Sequence, residues 1–61
     1  MGYYEIRKSS KATPQPWYFV LLADNHEIIA VSEMYASKQG AEKGIASVRA
    51  NAPSTTVYDR S

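Results

Sequence analysis

The sequence contains no cysteine, so neither a disulfide framework nor a thiolate zinc site can reinforce its core. A single histidine leaves an imidazole-based metal site short of the three or four ligands it needs. No apolar run approaches the roughly 20 residues of a membrane-spanning helix. The opening "MGYYEIRKSS" lacks the apolar stretch of a signal peptide, and Ile6 stands where a myristoylation motif requires Ser or Thr. A strong charge of either sign is also missing. The net charge is +1, whereas binding nucleic acid through its phosphates leaves a clear excess of Lys and Arg. These absences predict a soluble cytoplasmic protein without a cofactor or a membrane partner, and they argue against nucleic acid.

What is present is a chain of 61 residues, 44% apolar, which is ordinary for a folded domain and too apolar for intrinsic disorder. A chain this short removes only about 60% of its unfolded surface from water. Small domains without covalent staples often complete their cores by association. The expectation is therefore one domain over residues 1–61, and size alone leaves open a four-stranded monomer or association with a second copy.

"YYEIR" (Tyr3 to Arg7) alternates and is rich in aromatic and branched residues, which predicts a first strand. Tyr4 and Ile6 would point one way, Tyr3, Glu5 and Arg7 the other. "KSSKATPQP" follows as a loop, because Pro14 and Pro16 cannot both sit in a ladder. "WYFVLLA" (Trp17 to Ala23) is apolar on both parities and predicts a second strand. "DNH" interrupts it, and "EIIAVSE" (Glu27 to Glu33) returns as a third strand, antiparallel because the connection is so short. Ser37 is a good N-cap, and Ala41, Gly44, Ile45, Val48 and Ala52 then recur at the spacing of one helical face up to Pro53. "STTVYDR" (Ser54 to Arg60) carries the Thr, Val and Tyr of a fourth strand. The order is β-β-β-α-β, an α+β fold with one helix packed on one face of an antiparallel sheet. Bulky Tyr4, Trp17, Phe19 and Leu21 would meet a helix surface of Gly, Ala, Ile and Val, so large faces small.

In this order and spacing, "YYEI", "YFVLLADNHEII", "SEMYASKQGAEKGI" and "SVRANAP" resemble the YegP-like family of small bacterial domains. The most specific part runs from Ser32 to Pro53. The resemblance implies a β3-α-β unit that occurs as a tandem repeat or a homodimer, with one continuous sheet and exchanged C-terminal strands. For a chain holding one unit it implies the homodimer, with Thr55, Thr56, Val57 and Tyr58 in the exchanged strand. It implies no established biochemical activity. The sequence departs from the family pattern in its longer, proline-rich loop from Lys8 to Pro16, in His26 where relatives often have Gly, and in Tyr18, Val20 and Leu22 where relatives tend to carry charge.

Four places could carry function. His26 stands beside Asp24 and Asn25, but adjacent side chains diverge on a tight turn, and Asn and His enter the left-handed region readily, so a turn is the preferred reading over catalysis or metal binding. Ser37 and Lys38 at the helix start could hold an anion, although a plain N-cap explains Ser37. Tyr3, Tyr18, Val20 and Leu22, on the face away from the helix, form a candidate partner-binding face. Exposed apolar surface most often marks a protein contact. Aromatics on a sheet can also stack single-stranded bases, but here Arg7 is the basic residue at hand and Glu5 opposes it. Tyr35 is read as a buried anchor with a hydrogen-bonded hydroxyl. No catalytic residue is assigned, and the leading function is a non-enzymatic structural or protein-interaction module. A weak nucleic-acid binder is the alternative.

Overall fold

The computed structural model describes residues 1–61 and contains strands β1 (Tyr3–Lys8), β2 (Trp17–Leu22) and β3 (Ile28–Val31), then helix α1 (Lys38–Asn51). The strands form one antiparallel sheet in the order β1-β2-β3. Tyr3 pairs with Leu22 and Lys8 with Trp17, so Tyr4, Ile6, Phe19 and Leu21 share one face, and Tyr3, Glu5, Arg7, Tyr18, Val20 and Leu22 share the other. Both sets match the alternation expected from the sequence.

Helix α1 begins where Ser37, with extended backbone, accepts a hydrogen bond from the Gly40 amide at 3.0 Å. Its last turn carries Arg49, a cation at the negative end of the helix dipole. The Ala52 amide closes the helix on the Val48 carbonyl, and Pro53 has no N–H with which to continue it. The helix packs over β1 and β2 and leaves β3 uncovered.

Ala41 on the helix is fully buried, and Phe19 on β2 is 5% exposed. Tyr35, in the segment before the helix, exchanges backbone hydrogen bonds with Trp17 in both directions and stacks its ring on Phe19, 6.2 Å between centroids. Tyr4 meets Phe19 edge-on, 6.1 Å between centroids. Ring and backbone, rather than the hydroxyl, anchor Tyr35. Gly44 lies directly above this pair: a Cβ there would collide with the Tyr35 hydroxyl, and would stand 2.9 Å from Phe19 Cε2. At Gly40 the nearest atom is Tyr35 Cβ at 3.3 Å, a milder contact.

One expected element is absent within a single chain. Residues 54–61 form no strand, and all are exposed. The β-propensity of Thr, Val and Tyr reflects packing on a pleated surface, so without a neighbouring strand there is nothing to express it. Only four residues are buried, namely Phe19, Val20, Leu22 and Ala41. That is a small core for a chain with no covalent staple.

Replacing Gly44 with Ala or Leu should destabilise the fold by about 1–3 kcal/mol through overpacking, despite a helix-propensity gain of about 1 kcal/mol. Gly40→Ala should cost far less. Urea titration followed by the helical signal checks both, and a stabilised Gly44→Ala protein would show that Tyr35 yields freely.

Candidate interaction surface

The polar break at Asp24, Asn25 and His26 is a three-residue hairpin loop. The His26 amide donates to the Ala23 carbonyl at 2.9 Å, and the Ala23 amide donates to the Glu27 carbonyl at 2.8 Å. His26 has φ 70°, in the left-handed region that such loops place after a type I turn and usually fill with glycine. The Asn25 carboxamide accepts from the Glu27 amide at 3.2 Å and braces the turn. The His26 ring folds back over the sheet, edge-on to Tyr3 at 5.8 Å, and its Nδ1 is 2.7 Å from the Tyr3 hydroxyl. With its proton on Nε2 the neutral imidazole accepts from the phenol there. Asp24 is engaged by the N-terminal amine instead. The cluster is a brace between a turn and β1, and the three side chains do not converge on a common point.

At the helix start the Ser37 hydroxyl accepts from the Gly40 amide, the bond of a plain N-cap. On the face away from the helix, the structure revises the expected surface. Val20 is 1% exposed and Leu22 4% exposed, although both point away from α1. Val20 lies between Glu5 and Val31, and Leu22 between Tyr3 and Ile28, on the middle strand of the sheet with a neighbour on each side. What this face offers to solvent is the half-buried Tyr3 and Tyr18 with Glu5 and Arg7, and beside them Ile28 and Val31 of β3. Lysine at Val20 or Leu22 would therefore break the core rather than probe a contact. Arg7 is committed to Glu5 through both Nε and a terminal nitrogen, at 3.0 and 2.7 Å. These bonds, first among several causes, raise the guanidinium pKa above its usual value. Such a cation is a poor seat for a phosphate.

Other apolar residues are more exposed. Ile28, Ile29 and Val31 are 48%, 62% and 64% exposed along β3, and Met34 follows them. A register shift between Leu21 and Leu22 bulges the ladder here, so Ile29 falls between paired positions. The adjacent isoleucines in "EIIAV" carried the signal of a strand apolar on both faces. Between β3 and the β1–β2 loop runs an open groove of about 540 Å³, walled by Ser9, Lys11, Thr13 and Gln15 and floored by Tyr18, Val31 and Met34.

The C-terminal segment is the other exposed apolar feature. Val57 is 87% exposed and Tyr58 74%. The Ser61 amide and hydroxyl both donate to the Asp59 carboxylate, which lowers its pKa and curls the last residues into a turn. The piece left free to pair is Thr55, Thr56, Val57 and Tyr58.

These features define a small α+β unit, three antiparallel strands backed by one helix, with no cluster of metal-ligating side chains and no helix long and apolar enough to cross a membrane. The family described as Domain of unknown function (DUF1508) matches residues 15–59. The chain is 49% identical over 59 residues to the UPF0339 protein YegP of Yersinia pestis, covering 97% of this chain and 50% of that protein. The same identity and coverage of this chain hold for the YegP of Escherichia coli K12, of which 51% is matched. The chain thus spans about half the length of these relatives. A protein from Haloferax volcanii solved by NMR superposes with a TM-score of 0.76 at 37% identity, over 95% of this chain and 93% of that one. The chain belongs to the YegP-like family, whose function is unknown.

The turn makes its own prediction. His26→Gly should raise the unfolding free energy by roughly 0.5–1 kcal/mol, because relief of left-handed strain outweighs one exposed hydrogen bond. His26→Ala keeps the strain and loses the Tyr3 contact, so it should be destabilised by a similar amount. Paired thermal melts read the difference, and equal melts would remove the strain from the account.

Proposed function

We propose that the chain acts as a non-enzymatic interaction module in the cytoplasm, a homodimer in which Thr55, Thr56, Val57 and Tyr58 of each copy complete the sheet of the other. The observation that carries this reading is the segment after Pro53. It has strand-forming residues, exposes Val57 and Tyr58, and pairs with nothing in its own chain. A four-residue core without staples gives a second reason for association, since pairing would enlarge the buried surface at little conformational expense. The absence of cysteine suits a reducing compartment.

Beyond the dimer, the face formed by Tyr3, Tyr18, Val20 and Leu22 is proposed as a protein contact made through its rim, with the tyrosines as the touching groups and Val20 and Leu22 as their support. Single-stranded nucleic acid is the lesser reading, because Glu5 already holds Arg7.

Sedimentation at micromolar concentration should give twice the 6.8 kDa chain mass. Deleting Thr55 to Ser61 should abolish that species and lower the unfolding midpoint or cause aggregation. A truncated chain that still dimerises with unchanged stability would refute the exchange.

A further inference from the structure

We propose that the edge of β3 is a docking site for an extended segment of another protein, apolar in its middle and basic at both ends. This rests on reading the chain as an interaction module and is independent of the dimer, because it concerns a surface outside the segment from Thr55 to Tyr58.

β3 is an edge strand, since β2 stands between it and β1. Helix α1 does not cover it either. Exposed edges are commonly blunted by lysine or proline, and Ile28 to Val31 carry neither. They present Ile28, Ile29 and Val31 to solvent instead, with Met34 just beyond. The bulge lies at the Ile28 end. From Ala30 onward the register is regular: Ala30 pairs with Leu21, Val31 with Val20, and the Ser32 amide donates to the Phe19 carbonyl. Hydrogen-bonded pairs alternate along an antiparallel ladder, so the N–H and C=O of Val31 point outward, to where a further strand would lie.

The groove beside this edge supplies a second element of recognition. Its floor is Tyr18, Val31 and Met34, and its loop wall carries Lys11 as the one charge. Val31 pairs with Val20 and so shares the sheet face of Tyr18. A residue added opposite Val31 leans over the same floor. In added strands, backbone pairing gives affinity and pockets for alternate side chains give selectivity. Lys11 would repel a base in the groove, so the middle of the segment is apolar.

Charge decides what the ends of the segment must be. Glu27 and Glu33 bracket the strand, both exposed and neither in an ion pair. A second copy of β3 suits this edge poorly. The antiparallel register that sets Ile29 against the second copy's Val31 also sets Glu27 against the second copy's Glu33, and like charges then oppose each other at both ends. Lysine or arginine at the two ends of a different strand meets those carboxylates instead, with about 20 Å between the two bases.

The probe is the end-blocked heptapeptide KVTVTVK, titrated at low salt into the full chain while NMR follows the backbone amides. Saturable shifts should appear at Val31 and its neighbours on β3. The peptide EVTVTVE should bind about tenfold more weakly, because two attractions become two repulsions. Changing Glu27 and Glu33 together to Gln should weaken KVTVTVK about threefold. Val31→Pro removes the outward amide where an edge tolerates proline, and it should abolish the shifts that Val31→Ala retains. If Val31→Pro fails to fold, the peptide swap and the Gln variant decide the matter. Equal binding of the two peptides, or shifts on β1 in place of β3, would overturn the β3 edge and leave the contact through Tyr3 and Tyr18 standing. A wild-type chain that binds neither peptide overturns the edge as well, and sedimentation bears on the dimer alone.

Discussion

The contact of Gly44 with Tyr35 and Phe19 governs the arrangement of the whole unit. Tyr35 is tied to β2 by two backbone hydrogen bonds and to Phe19 by ring stacking, so its ring can leave Gly44 only by giving up that stack. A helix can lie this close to the sheet only where it presents no side chain, and Gly44 gives it that place. Once the helix is fixed there, Ala41 is sealed, Ser37 is brought to the Trp17 end of the sheet and Pro53 to the opposite end. The direction in which the C-terminal segment leaves follows from that single close approach.

The two faces of the sheet are built on different principles. One is covered by another element, the helix. The other has no second element over it, yet Val20 and Leu22 are buried on the middle strand, flanked by Glu5 and Tyr3 on β1 and by Val31 and Ile28 on β3. Long side chains can bury small neighbours in this way while keeping their polar ends in water. The middle strand of a sheet face can therefore be shielded without a second layer, while Ile28 and Val31 on the edge strand stay exposed.

Much of the fold was legible in the sequence because its signals were local. Alternation in "YYEIR", the polar break at Asp24 to His26, the N-cap at Ser37 and the small-residue face of α1 each depend on a few neighbouring residues. The left-handed His26 was legible for the same reason. Burial of Val20 and Leu22 was not, since it depends on which residues stand opposite on β1 and β3, a matter of register. Nor was the bulge at Leu21 and Leu22, which leaves the isoleucines of β3 exposed. The segment from Ser54 to Arg60 shows the limit most clearly. Its residue types favour a strand, but a strand is a relation between two segments, and a single chain does not contain the second.

The unequal connections of the sheet bear on the order in which it forms. Only Asp24, Asn25 and His26 link β2 to the Glu27 return, whereas residues 9–16 separate β1 from β2. Closing the shorter loop loses less chain entropy, so β2 and β3 meet first, and β1 must arrive across the longer, proline-bearing span. Until it does, the side of β2 that faces β1 lies bare, and Val20 and Leu22 lack the neighbours that later hide them. A β2–β3 hairpin standing alone would therefore show apolar surface that the finished domain hides.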